Sequence, residues 1–80
     1  MKRLSRSERY KIVQGKIQEA FEESQVLKNE LQSWYDNMPE NLKSSVRGQA
    51  IEEAIDQLYK VCDYLAYALV KEVYFPGAYD

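Results

Sequence analysis

Apolar and small residues recur along this chain in two runs, each spaced by alternating steps of three and four. The first run is Tyr10, Val13, Ile17, Ala20, Ser24, Leu27, Leu31 and Trp34. The second is Ile51, Ile55, Leu58, Cys62, Leu65 and Leu69. This spacing is the period of a helix stripe packed along a neighbour, as in a coiled coil. The pattern predicts an all-α single domain, residues 1–80, with helices over about 6–37 and 46–75, a bend over 38–45 and a short tail. Ser5 or Ser7 is placed to cap the first helix. The helices are expected to form an antiparallel hairpin, each arm ~45 Å long at ~1.5 Å per residue.

The interruption between the two runs contains Asn37, Met38, Pro39 and, further on, Ser44 and Ser45. Proline crowds the residue before it out of the helical region and suits the first position of a new turn. Asn37 tolerates the left-handed conformation that ends many helices. Ser44 or Ser45 can accept from the free amides that open the second helix. Trp34, Met38 and Leu42 are expected to cluster and hold the bend shut. Phe-Pro-Gly at residues 75–77 ends the second helix.

A hairpin bent about residue 41 pairs Leu31 with Ile51, Leu27 with Ile55, Ala20 with Cys62 and Val13 with Leu69. The same register sets Gly15 opposite Tyr67 and Trp34 opposite Gly48, so a large ring is expected to fill the space at each glycine. Two rows are left over, Phe21 with Tyr35 and Ala54 with Val61. An arm with more apolar surface than one neighbour covers needs another. The expected assembly is a homodimer or higher oligomer, most simply an antiparallel four-helix bundle.

At 80 residues a lone fold has little core. With one cysteine, no internal disulfide can form, and with no histidine the commonest metal ligand and general base is missing. No cofactor is implied. No signal peptide or membrane-length apolar run is visible, which points to a cytoplasmic protein. The net charge of −2 hides a division: residues 1–16 carry +5, residues 17–58 carry −6 and residues 59–80 carry −1.

That division singles out the N-terminus. Basic side chains at the start of a helix oppose its dipole. Pairing with the end of the second helix, through Glu72 and Asp80, would offset this. The alternative is an anion, a nucleotide or nucleic acid, held by Arg3, Arg6, Arg9 and Lys11 with Tyr10, Tyr74 and Tyr79 stacking nearby. Tyr59, Tyr64, Tyr67 and Tyr74 flank the second stripe. Tyrosine suits a border between buried and wet surface. The expected interface set is therefore Phe21, Trp34, Tyr35, Ala54, Tyr59, Val61, Tyr64 and Tyr67.

Glu19, Glu22 and Glu23, with Glu52, Glu53 and Asp56, bear some similarity to the paired acidic motifs with which all-helical MazG-type nucleotide pyrophosphohydrolases hold magnesium. The first-helix segment has its acids in the wrong order, and the stripes turn most of them to solvent. No metal site and no catalytic residue are expected.

The segment Trp34-Tyr35-Asp36-Asn37-Met38-Pro39-Glu40-Asn41-Leu42, leading into Ala50-Ile51-Glu52-Glu53-Ala54-Ile55, resembles a W-x-D-N-x-P-E-N-L segment of small bacteriophage proteins. The resemblance spans about residues 30–58 and carries no catalytic residue. It implies a phage accessory protein of the host-cell cytoplasm that binds or inhibits a host or antiviral-defence protein.

Overall fold

A computed structural model describes residues 3–76, which form three helices: α1 (Arg6–Asp36), α2 (Glu40–Lys43) and α3 (Val46–Val70). No strand forms among the described residues. The long helices α1 and α3 pack side by side, with α2 at the turn between them.

α1 starts where Ser5 takes an extended conformation (φ −69°, ψ 167°). Its hydroxyl accepts from the Glu8 amide at 3.1 Å, and its own amide donates to the Glu8 carboxylate at 3.2 Å. This reciprocal capping box satisfies two of the amides that a helix start leaves unpaired. The helix ends at Asn37, which sits at φ −90°, ψ −1° and donates to the Ser33 carbonyl at 3.1 Å. The left-handed end expected there does not form. Pro39 already turns the chain by preventing Met38 from continuing the helix.

Hydrogen bonds hold the bend. The amides of Leu42 and Lys43 both donate to the Pro39 carbonyl, at 2.9 and 3.1 Å. Ser45 caps α3 by accepting from the Gly48 amide at 3.2 Å while donating to the Leu42 carbonyl. The expected apolar clasp does not close, since Trp34 and Leu42 both stay exposed. Gly48 is buried for a different reason than a facing tryptophan ring. A Cβ there would run into the backbone carbonyl oxygens of Lys43 and Leu42. Gly15, expected opposite Tyr67, has nothing within 4 Å of where a Cβ would stand.

α3 stops at Val70, short of residue 75. Lys71 is extended (φ −72°, ψ 121°), and the chain then runs back against the start of α1. The Tyr10 hydroxyl donates to the Lys71 carbonyl at 3.2 Å, and the Tyr10 and Phe75 rings meet edge to face at 5.7 Å. Val70, Val73 and Tyr74 are weak helix formers, and Pro76 holds Phe75 extended. Contacts to α1 outweigh the last helical turn.

The arms touch along one seam. On α3 the expected stripe is the buried one, with Ile51, Ile55 and Cys62 each about 5 or 6% exposed. On α1 the half-buried positions include Tyr10, Gln14, Ile17, Phe21, Ser24, Lys28, Leu31 and Tyr35, with Gln18, Gln25 and Gln32 on one flank and Ala20 on the other. They share Tyr10, Ile17, Ala20, Ser24 and Leu31 with the expected stripe, but α1 is rolled toward the side that carries Gln14, Phe21, Lys28 and Tyr35. Phe21 and Tyr35 turn in toward α3, and Val13, Leu27 and Trp34 turn out, at 45, 54 and 46% exposure. The expected register holds only in part. Tyr10 lies against Lys71, and Trp34 against Arg47, within a residue of it. Lys28 with Tyr59, and Tyr35 with Glu52, fall about a turn away.

The glycines carry a direct prediction. Gly15→Ala should raise stability by up to ~1 kcal/mol, the helix-propensity difference at an open site. Gly48→Ala should cost about 1–3 kcal/mol, since backbone must move to admit the methyl. Urea unfolding followed by circular dichroism at one protein concentration measures both, and the opposite order would refute the account of the bend.

Candidate functional site

Heptad spacing sorts the remaining side chains of the hairpin into two faces. Arg6, Val13, Ala20, Leu27 and Trp34 are successive sevenths on α1, so they form one row along it. Arg47, Ala54, Val61 and Ala68 form the equivalent row on α3. The Arg47 guanidinium lies 5.5 Å from the centre of the Trp34 ring. That contact joins the two rows on one side of the seam. The face they make is apolar along its middle, with Val61 40% exposed and the alanines of α3 at 54 and 68 half-buried.

The other face is polar. Gln18, Gln25 and Gln32 lie along α1, and Gln18 and Gln32 donate to Glu22 and Asp36, each at 3.0 Å. Across the seam, the Lys28 ammonium sits 4.2 Å from the centre of the Tyr59 ring. The Tyr35 hydroxyl donates to Glu52 Oε2 at 3.0 Å. This bond to a carboxylate raises the Tyr35 pKa above the ordinary tyrosine value, with burial and the charges of Glu52, Glu40 and Asp36 adding to it.

The expected interface residues are thus divided. Trp34, Ala54 and Val61 belong to the apolar face. Phe21 and Tyr35 are spent inside the hairpin, contrary to their expected role as a leftover row, because the roll of α1 turns them toward α3. Tyr59 borders the polar face. Tyr64 and Tyr67 point away from the seam, at 71 and 67% exposure.

The basic end is less convergent than the sequence suggested. A surface groove there is lined by Ser7, Tyr10, Lys11, Gln14, Glu72, Val73, Tyr74 and Phe75. It brings together three of the residues expected to hold an anion: Tyr10, Lys11 and Tyr74. Arg3, Arg6 and Arg9 are exposed and do not line it, and Tyr79 lies outside the described residues. Tyr10 is already engaged with Lys71 and Phe75, and Glu72 brings negative charge to the wall. At the helix start itself, the Ser5 amide and hydroxyl hold the Glu8 carboxyl below its ordinary pKa, with Lys11 adding to the effect. Sequence reasoning found the serine cap but not its partner, although Ser-x-x-Glu is legible at residues 5–8.

The acids of the two arms occupy separate places. Glu22 and Glu23 line a hollow with Val26 and Leu27, whereas Glu52, Glu53 and Asp56 line another with Gln49. Among the described residues, no group of three or more Asp, Glu or Cys side chains could hold a metal ion. No helix among them is long and apolar enough to cross a membrane. No protein-family model matches the chain, and no curated protein or solved structure matches it either.

Two titrations check the contacts. The raised Tyr35 pKa means that its bond stabilises the fold below the ordinary tyrosine value near ~10 and is lost as pH rises through the folded-state value. Glu52→Gln should bring Tyr35 back toward that ordinary value, read by carbon NMR of labelled tyrosine rings; an unmoved titration would refute the bond. The lowered Glu8 pKa has the opposite sign. Its stabilisation is present above the ordinary glutamate value and disappears as pH falls through the folded-state value. Carbon NMR of labelled side-chain carboxyls should show Glu8 titrating below the ordinary glutamate value, and Ser5→Ala should bring it back toward that value; an unmoved titration would refute the cap.

Proposed function

We propose that this chain is a non-enzymatic, oligomeric binding protein whose helical hairpin is a scaffold for protein–protein contact. One observation carries the reading: the structure exposes most of its large apolar side chains. Among the described residues, only Ile51, Ile55 and Cys62 are buried apolar residues, while Val13, Val26, Leu27, Trp34, Val61 and several tyrosines stand at 40% exposure or more. The shape agrees with this. The radius of gyration is 18.9 Å, against about 12 Å for a compact domain of this length. The accessible surface is 6644 Å², against about 5,000 Å² for a compact monomer of this mass. Surface of that kind marks a protein that meets others.

The target class follows from the phage-like segment around Trp34 to Leu42. On that resemblance the chain acts by binding or inhibiting a host or antiviral-defence protein. Tyr67 stands furthest from both the seam and the apolar face, Tyr64 flanks that face beside Val61 and Ala68, and exposed tyrosines are strong contact residues. They are the residues we assign to the target. The groove at Tyr10, Lys11 and Tyr74 favours a second reading, an anion or nucleotide site, which shares no residue with the first.

Affinity capture from host lysate, followed by reconstitution with the purified captured protein, tests the leading reading. A stoichiometric complex is expected, weakened at least about tenfold, or ~1.4 kcal/mol, by Tyr64→Ser with Tyr67→Ser at unchanged helix content. Failure to reconstitute, or wild-type affinity in the double variant, would overturn it. Release of pyrophosphate from nucleoside triphosphates with magnesium would overturn the non-enzymatic assignment. A thermal shift with a nucleotide that Lys11→Glu abolishes would move the reading to the groove.

A further inference from the structure

We infer that the apolar face docks a second copy of this chain, turned end for end about a two-fold axis that passes through Ala20 and Val61. The inference rests on the associating character proposed above and specifies its geometry.

The charge pattern selects the occupant. Beside the row of Val13, Ala20 and Leu27 runs a further heptad row, Arg9, Lys16, Glu23 and Glu30, all exposed. Its first half is basic and its second half acidic. Laid against itself in the same direction, this row would put like charges together. Laid against itself end for end, it sets Arg9 beside Glu30 of the second copy and Lys16 beside its Glu23. Rows of this kind flanking an apolar seam set orientation and partner choice in helix pairs. A foreign partner gives no reason for a row complementary to its own reversal.

The apolar rows have the same centre. End-for-end pairing of α1 with itself places Val13 against Leu27 of the second copy and Ala20 against Ala20. On α3 it places Ala54 against Ala68 and Val61 against Val61. Both centres must lie at one height along the hairpin for a single axis to serve both, and the Trp34–Arg47 contact supplies that height. Two heptads from Trp34 toward the N-terminus is Ala20, and two heptads from Arg47 toward the C-terminus is Val61. The small side chains at Ala20, Ala54 and Ala68 let the helices approach, and the outer ends match as well. Arg6 of one copy falls on Trp34 of the other, where a guanidinium over an indole is favourable.

The area is sufficient. Standard stable interfaces cover about 800 Å² on each partner, and the broad face extends along a molecule measuring 63 by 23 Å in its two larger dimensions. The pair is an antiparallel four-helix bundle. Its centre is the face left open by the roll of α1; Tyr64 lies at its rim and Tyr67, on the far side of α3, remains free.

The test uses the full chain with Cys62→Ser as background. Light scattering after size exclusion should give twice the 9.4 kDa chain mass. Ala20→Cys should crosslink to covalent dimer with a short bis-maleimide, and Gln18→Cys, on the polar face at nearly the same height, should not. Lys16→Glu should weaken the dimer at least about tenfold and Lys16→Glu with Glu23→Lys should restore it. Neither change touches the seam, so folding is preserved and circular dichroism verifies it. A monomer at about 100 μM chain, a hundredfold above a micromolar dissociation constant, crosslinking at Gln18→Cys in preference to Ala20→Cys, or no rescue by the charge swap would each overturn the inference. If one of these occurs while the reconstituted target complex still forms, the binding function stands without this dimer. If neither association is seen, both fail.

Discussion

The roll of α1 about its own axis is the constraint on which the rest depends. A helix has room for one tight line of contact with a single neighbour. α1 offers two candidate lines that share Tyr10, Ile17, Ser24 and Leu31. In one they alternate with Val13, Ala20, Leu27 and Trp34, and in the other with Gln14, Phe21, Lys28 and Tyr35. The hairpin uses the second, the more polar of the two. It gains the Tyr35–Glu52 hydrogen bond and the Lys28–Tyr59 contact, both of which tolerate water. The more apolar line is left open. A lone hairpin has every reason from the hydrophobic effect to do the reverse. The choice makes sense when a second apolar surface lies against the open line, because then both are used and the polar contacts occupy the outer edge.

This bears on what was legible in the chain. The period identified two arms, and the placement of Pro39 and Ser45 identified the bend, because these are local properties of backbone and cap. The α3 stripe was legible because its flanks differ: large branched side chains on the seam, alanines on one side, acids on the other. On α1 the two flanks are nearly matched in periodicity, so spacing alone cannot say which faces α3. The same ambiguity misplaced Phe21 and Tyr35. It also misled the reading of the glycines. Gly15 stands on the outer surface, where nothing packs, and Gly48 is needed by carbonyl oxygens of its own bend. Backbone close approaches of that kind leave no periodic trace. The end of α3 was overestimated because Tyr10 and Phe75, far apart in sequence, meet only after the arms fold.

The basic N-terminus illustrates how local chemistry can remove the need for a ligand. Six basic residues ahead of residue 17 would oppose the dipole of α1 if they clustered at its first turn. Of the described ones, Arg6 and Arg9 fall in that turn, and Lys11 and Lys16 lie further along. Ser5 and Glu8 close that turn and bring a carboxylate to the positive end of the helix. Arg9 and Lys16 lie with Glu23 and Glu30 in a row beside the apolar face. Lys11 faces the groove with Glu72. The charge that looks like one patch along the sequence is therefore spread around the helix. Glu8 stands at the cap, Glu72 lines the groove with Lys11, and the counter-charge available to Arg9 and Lys16 is the acidic half of their own row. The last can be reached only from a second molecule running the other way. An anion at the N-terminus would compete with these pairings rather than complete them, and the division of charge along α1 is better explained by orientation than by ligand binding.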